Sequence, residues 1–549
     1  MYKQSFRCCY FFKRRFKLKQ TEPPKDIKDV FDLYSENGTM SINDLRRFLV
    51  EHQGEDEATV DKEAEAIFNS LKHLNVLQRR GLHLDAFFRY LFGDLNSPLP
   101  PPTVHHDMTA PLAHYFMYTG HNSYLTGNQL SSDSSIEPIV SALRRGVRVI
   151  ELDLWPNPKR DDVVVCHGGT LTSSVELIKC LEAIKENAFY ASEYPVIITF
   201  EDHLDPKLQA KVAQMVHQTF GDMLFLPKSE FLQELPGPEF TKKKILISTK
   251  LPKGSLDSTT AKESEQKQNE FDEDEDEEIA TPEYKSLIAI PSEKLKHGVK
   301  ALTTVDPHKV HRLALSELQL ENAIKTHGTD IVRFTQQNLL RVYPKGTRIS
   351  SSNYNPVEGW TYGIQMAAVN MQGYDKHLWI THGRFRANGG CGYVKKPDFL
   401  LNVGPNNEVF DPRSWHPVKT TLKVKIYMGD GWQLDFKPTY FDPFSPPDFF
   451  AKVQILGVSA DKEKMKTMAI EDQWVPVWNE EFVFPLTVVE LALLRIEVRE
   501  FDTDGRHDFG GQTCLPVSEL RTGIRAVPLY DRKGEKYRSV KLLMRFVFV

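Results

Sequence analysis

Short apolar runs rich in β-branched residues punctuate the middle of this chain. Each is followed by charged or imidazole residues and then by a helix-length stretch. HYFMYTGHNSYL, GVRVIELDLW, DVVVCHGG and YPVIITFEDH, between about 114 and 203, share this grammar. Apolar strands alternating with helical segments predict a parallel sheet covered on both faces. KKKILISTK, LLRVYP, GIQMAAVNMQ and HLWITHG read as further strands. Together they predict a distorted (β/α)8 barrel. Its polar residues fall at the C-terminal strand ends, the face on which such barrels build their sites.

The pattern changes on either side. Residues 24–95 read as helices, and DIKDVFDLYSENGTMSINDLRRFL has the outline of a calcium-binding helical pair. With Gly38 at the sixth loop position, Ser35 and Asn37 take the third and fifth. Leu33 then takes the first position and offers no oxygen, while Asp44 replaces the expected bidentate Glu at the last. An EF-hand-like scaffold that binds calcium poorly or not at all is expected. NSPLPPPTV reads as a linker, because proline cannot continue a helix. Residues 251–298 are polar, with an uninterrupted acidic run from Asp272 to Glu278. They predict a disordered linker over the barrel mouth that repels anionic membrane. From about 418 onward, LKVKIYMGDG, FFAKVQILG, ALLRIEVREFD and KLLMRFVFV predict an antiparallel β-sandwich. The expected order is a basic segment 1–23, a helical domain 24–95, barrel halves 105–250 and 299–415 around the linker, and a sandwich 418–549.

Composition narrows the partners. The 549 residues exceed one core, and the net charge of −5 gives no global drive toward nucleic acid. Residues 1–19 nevertheless hold seven Lys and Arg among aromatic residues, a pattern suited to an anionic membrane surface. Cys8 and Cys9 there are candidates for acylation. The six cysteines lack CxxC spacing, which argues for a reducing compartment and against a zinc site or disulfide framework. No apolar run approaches about 18 residues, so a cytoplasmic, membrane-peripheral protein is expected.

Asn122, Glu151, Asp153 and Glu201 offer one amide and three carboxylates at strand ends. Hard oxygen donors without a nearby thiolate suit Ca²⁺, and three carboxylates cannot remain ionised together without a cation. The spacing of Glu151 and Asp153 places both on one strand face. His121 and His167 would flank the ion. A metal beside two imidazoles suits phosphoryl transfer, one imidazole stabilising a pentacoordinate phosphorane and the other protonating the leaving alkoxide.

HNSYL, the ELDLWP and CHGG pair, ITFEDH, RVYPKGTRISSSNYNPVEGW and NGGCGYVKKP resemble the X and Y boxes of eukaryotic phosphoinositide-specific phospholipase C. The order of EF-hand-like region, X box, acidic linker, Y box and C2 domain, with no pleckstrin-homology domain in front, is similar to the plant-type enzymes. The resemblance implies hydrolysis of phosphatidylinositol 4,5-bisphosphate to diacylglycerol and inositol 1,4,5-trisphosphate through a cyclic phosphodiester, on the inner face of the plasma membrane, by a calcium-dependent monomer. It implies that His121 stabilises the phosphorane and that His167 is general acid, then base. Asn122, Glu151, Asp153 and Glu201 would hold calcium, and Glu201 or Glu151 would deprotonate the inositol 2-hydroxyl. Lys250 and Arg341 match positions that grip ring phosphates, and Tyr343 would pack on the ring. Two positions depart from the animal pattern. Ser248 stands where a lysine is usual, and Ala314 replaces a phosphate-contacting serine, with Ser316 close by. Both departures weaken the expected grip on the ring phosphates.

The sandwich resembles a C2 domain, and Asp442, Asp448, Asp472, Glu500, Asp502, Asp504 and Asp508 in its loop-like stretches suggest a second calcium site. Trp474 and Trp478 are candidates for lipid contact or core packing. GGCG at 389–392 reads as a tight barrel turn. The competing expectation is a catalytically inactive scaffold that binds calcium and phospholipid.

Overall fold

The computed structural model describes the backbone of residues 3–9 and 12–17, and all of residues 22–71, 81–227, 234–250, 281–293, 312–442, 444–502 and 505–549. It divides into two units. One comprises residues 104–378 and 390–411, and the other holds the N-terminal 103 residues with 379–389 and 412–549.

The first unit is the barrel. Its parallel staves are β1 (Val149–Pro156), β2 (Val196–Asp202), β3 (Ile245–Lys250), β4 (Ile288–Glu293), β5 (Arg312–Ser316), β6 (Leu339–Tyr343) and β7 (Met366–Ala367). They pair in that order. Residues 118–120 close the ring, because Thr119 bridges Val149 and Gly120 bridges Val369, both in parallel. Helices such as Glu137–Arg144, Pro206–Phe220 and Glu317–Thr335 form the crossovers. Register explains how the interior is layered. Val149 lies opposite Ile197, Glu151 opposite Thr199, and Asp153 opposite Glu201. Val149 and Ile197 join Leu246, Leu339 and Met366 in an apolar plug. Alternate residues share a face, so the same strands that fill the floor deliver carboxylates to the mouth.

Three expectations about the barrel need correction. DVVVCHGG is not a stave: Val163–Val165 pairs antiparallel with β1, and His167 follows this side ribbon. HLWITHG is helical, within Lys376–Arg384. The linker boundary at 298 is too late, because Pro282–Ser286 is a helix and β4 is a buried stave. The apolar run SLIAI was masked in the sequence by the acidic stretch before it. That stretch, with its proposed inhibitory role, lies in 251–280, outside the described residues. GGCG is a turn: Gly392 has φ +86, and a Cβ there would stand 2.2 Å from Gly146 O. Only glycine tolerates both conditions.

In the second unit, eight antiparallel strands between Thr420 and Phe548 form one continuous ladder wrapped around a shared core. Trp474 and Trp478 are both buried in that core, which overturns their candidacy for lipid contact. Four helices, Lys25–Tyr34, Ile42–Glu51, Val60–Leu71 and Leu84–Leu91, pack as two pairs linked by a bridge between Met40 and Leu82. They do not stand alone. Phe31, Phe48 and Phe87 share a core with Tyr427, Met428, Ile524 and Leu543 of the sandwich. Gln53 bonds both backbone groups of Ile524, at 2.6 and 2.7 Å, and Arg525 donates to Glu55 at 2.6 Å. Leu33 is exposed, and Asp44 is engaged in a capping box with Ser41. The basic N-terminal stretch forms a hairpin, Lys3–Cys9 against Phe12–Lys17. The expected membrane contact and acylation concern side chains outside the described residues.

Candidate active site

A cavity of about 430 Å³ opens at the C-terminal ends of the staves, lined by His121, Asn122, Asp153, His167, Glu201 and Tyr343 among others. Carboxylate oxygens of Glu151, Asp153 and Glu201 lie within 4.8 Å of one another. Asn122 follows the ring-closing residues 118–120 with φ +42, and its side-chain nitrogen donates to Gln129 Oε1 at 3.0 Å, which leaves its carbonyl oxygen uncommitted by that bond. Asp153 Oδ2 accepts from the Tyr124 hydroxyl at 2.7 Å, whereas Oδ1 is buried without a hydrogen-bond partner. Burial, then Glu151 and Glu201, push the Asp153 carboxyl well above its usual range. An orphaned buried oxygen amid repelling carboxylates is the electrostatic signature of a cation site. The donors are all oxygens, which suits calcium.

Both imidazoles are oriented through Nδ1. In His121 it lies 2.9 Å from Asn370 Oδ1, and in His167 it lies 2.7 Å from the Gln129 carbonyl. Each partner is an acceptor, so each Nδ1 carries the proton and each Nε2 is available to substrate. The Asn370 oxygen is assigned by its neighbours: it also accepts from Gln129 Nε2, while its nitrogen donates to Ser352 O. Burial lowers the His121 pKa, and the Arg341 charge adds to this against the opposing pull of Glu151.

The expected phosphate-gripping residues fare unequally. Lys250 ends β3 with its side chain exposed. Tyr343 lines the cavity, with the Arg341 guanidinium 5.6 Å from its ring centre. Arg341 itself is 5% exposed and paired with Glu151. Burial would raise the Glu151 pKa, but Arg341 and then His121 outweigh it and hold the carboxylate low. Ser248 is spent on Ile290 O at 2.7 Å, and Ser316 caps the following helix through a capping box with Gln319. The Ser248 proton is thereby unavailable to a phosphate, whereas Ser316 Oγ acts as the acceptor in its cap. Sequence reasoning missed Gln129, Asn370, His203, Lys345 and Arg348, all of which line the cavity. Asn370 was detectable, because VNMQ places an amide at the end of an apolar run.

In the sandwich, carboxylates of Glu500, Asp502 and Asp508 also converge within 4.8 Å. Burial, then Asp502, Asp448 and Asp442, push Glu500 up to about 8. Burial likewise raises Asp448, with repulsion from Asp472, Glu471 and Asp442. The Asp472 N–H donates to Asp448 Oδ1 at 2.7 Å, joining the two loops. Asp504 lies outside the described residues. Phe444 and Phe501, exposed in the same loops, are the apolar residues that sequence reasoning overlooked.

Comparison with known proteins matches four regions of the chain. Family models match for the phosphoinositide-specific phospholipase C EF-hand-like region at residues 18–97, the phosphatidylinositol-specific phospholipase C X domain at 108–251 and Y domain at 285–399, and the C2 domain at 420–531. The chain is 53% identical to Phosphoinositide phospholipase C 2 of Arabidopsis thaliana, covering 100% of both sequences. It is 34% identical to the Mus musculus 1-phosphatidylinositol 4,5-bisphosphate phosphodiesterase delta-3, covering 94% of this chain and 67% of the relative. The crystal structure of S. officinalis PLC21 superposes with TM-score 0.77 at 27% identity, over 96% of this chain and 68% of that one. The chain belongs to the phosphoinositide-specific phospholipase C family of phosphodiester-cleaving enzymes.

Proposed function

We propose that this enzyme cleaves phosphatidylinositol 4,5-bisphosphate to diacylglycerol and inositol 1,4,5-trisphosphate in a calcium-dependent reaction, acting as a monomer on the inner face of the plasma membrane. The observation that carries the reading is the meeting of Glu151, Asp153 and Glu201 at a cavity also lined by two imidazoles, each anchored through Nδ1. With Asn122, these carboxylates would hold calcium, which would lower the pKa of the attacking hydroxyl and neutralise phosphate charge.

The chain's own groups account for the proton traffic. Glu201 or Glu151 takes the proton of the inositol 2-hydroxyl, and the freed oxygen attacks the adjacent phosphorus. His121 faces the charge that develops on the phosphoryl oxygens. Donation from its Nε2 needs the imidazolium, which the gathering negative charge favours against the effect of burial. His167 enters this step as the imidazolium, with Nδ1–H held on the Gln129 carbonyl; it gives its Nε2 proton to the departing diacylglycerol oxygen and, then neutral, takes a proton from the water that opens the cyclic diester. Tyr343 offers a face for the inositol ring, while the Lys250 ammonium and a released Arg341 fork supply charge for ring phosphates.

Membrane apposition is supported by exposed Leu130, Leu171 and Ile349 near the cavity. Leu171 N–H donates to Leu130 O at 2.8 Å and Gln129 N–H to Ile349 O at 2.8 Å, so the three loops form one apolar rim. Among the described residues no helix is long and apolar enough to cross a membrane. The acidic loops of the sandwich are the proposed second calcium site, bridging to phospholipid. Release of water-soluble inositol phosphate from labelled vesicles, with and without chelator, tests the reading. Equal release in both conditions rejects the calcium requirement.

A further inference from the structure

Beside the catalytic cavity lies a second one of about 560 Å³, and Lys345 and Arg348 line both. The other side chains around it include Asn128, Ser131, Thr347 and Ser350, and no carboxylate lines it among the described residues. It differs in this from the neighbouring site, where Asp153 and Glu201 stand among the lining residues. Glu317, buried beneath, decides the charge balance. Its carboxylate is taken by Arg348, with three contacts of 2.8 to 3.1 Å. Lys345 Nζ stands at 3.8 Å from the same group, and its side chain is 50% exposed. One carboxylate cannot neutralise two cations, so Lys345 is left as the surplus positive charge. Thr347 and Ser350, both exposed, line the same cavity.

We propose that Lys345, with Thr347 and Ser350, forms a phosphate-binding subsite next to the catalytic cavity, and that it determines specificity for phosphorylated headgroups. The proposal rests on the phosphoinositide reading above. It supplies the charge that Ser248 does not, since that residue's hydroxyl proton is spent on the backbone at Ile290. Lysine suits the task as a mobile point charge that follows a phosphate without fixed geometry. The phosphate could belong to the substrate headgroup or to a neighbouring anionic lipid, and the two sources share one chemistry.

The test uses the full chain and its Lys345→Met and Lys345→Arg variants. kcat/KM is measured on phosphatidylinositol, its 4-phosphate and its 4,5-bisphosphate in neutral carrier vesicles, then in vesicles containing phosphatidylserine. The bisphosphate-to-phosphatidylinositol ratio should fall about tenfold in Lys345→Met, the size of one charge-assisted contact, and be retained in Lys345→Arg. A loss that appears only with phosphatidylserine assigns the phosphate to a neighbouring lipid. An equal loss on every substrate and carrier, or none, overturns the proposal. Calorimetric binding of soluble inositol 1,4,5-trisphosphate and inositol 1-phosphate provides a readout without turnover. If the wild-type chain cleaves none of the lipids, the phosphoinositide reading fails. The subsite then survives if Lys345→Met weakens trisphosphate binding selectively, and falls if it does not.

Discussion

Arg341 and Glu151 form a buried ion pair in the barrel, one from β6 and one from β1. Each neutralises the other where water is scarce. Glu151 is also a proposed calcium ligand and Arg341 a proposed phosphate ligand, so the pair stands in for both partners when neither is bound. Removing the arginine leaves an uncompensated buried carboxylate, at a cost of about 3–5 kcal/mol. Arg341→Met should therefore lower the melting temperature in chelator, and saturating calcium should raise it by more than it raises the wild type. Thermal scans of both proteins with and without calcium check this. An identical calcium-induced rise in the two proteins refutes the coupling.

The imidazoles should behave as working groups rather than structural ones. His121→Ala and His167→Ala should each reduce turnover by about a hundredfold or more. Asn370→Leu is more diagnostic. It removes the acceptor that holds the His121 proton on Nδ1, and should lower kcat with little change in KM. A KM effect alone would place Asn370 in substrate binding instead.

Much of this site was legible because strand period and strand end are local properties. ELD puts two carboxylates on one face whatever the rest of the chain does, and ITFEDH ends an apolar run with Glu201. His167 was found for a partly wrong reason, since VVV is a short apolar run whether it forms a stave or an antiparallel ribbon. HLWITHG misled because its β-branched and aromatic residues resemble a strand, while packing makes it a helix. The Arg341–Glu151 pair and the Asn370–His121 contact join residues 190 and 249 positions apart. No spacing rule reaches that far. The sharing of a core by the N-terminal helices and the sandwich was invisible for the same reason.

The acidic loops of the sandwich yield a separate prediction. Glu500 at about 8 and a raised Asp448 mean that these loops repel themselves until a cation or protons arrive. Asp448→Asn should abolish calcium-dependent sedimentation with anionic vesicles. It should leave chelator-sensitive cleavage of a soluble phosphoinositide within about twofold, because the barrel carboxylates are untouched. Loss of both activities would show that one calcium site serves both purposes.

His52 carries the last prediction. It follows the helix Ile42–Glu51, stacks on Phe48 at 5.5 Å between ring centres, and has Nε2 buried without a partner. Burial, aided by the Arg545 charge, lowers its pKa from 6.5 to about 4. The unfolded chain therefore binds a proton between pH 6.5 and 4 that the folded chain refuses, and stability falls as the pH drops through that window. After discounting for its exposed part, the loss is about 2 kcal/mol. His52→Phe keeps the ring stack and cannot titrate. Urea melts of the helical and sandwich unit within the full chain should show less destabilisation between pH 6.5 and 4 in the variant than in the wild type. Superimposable pH dependences would mean that His52 is protonated in the folded state as readily as in the unfolded one.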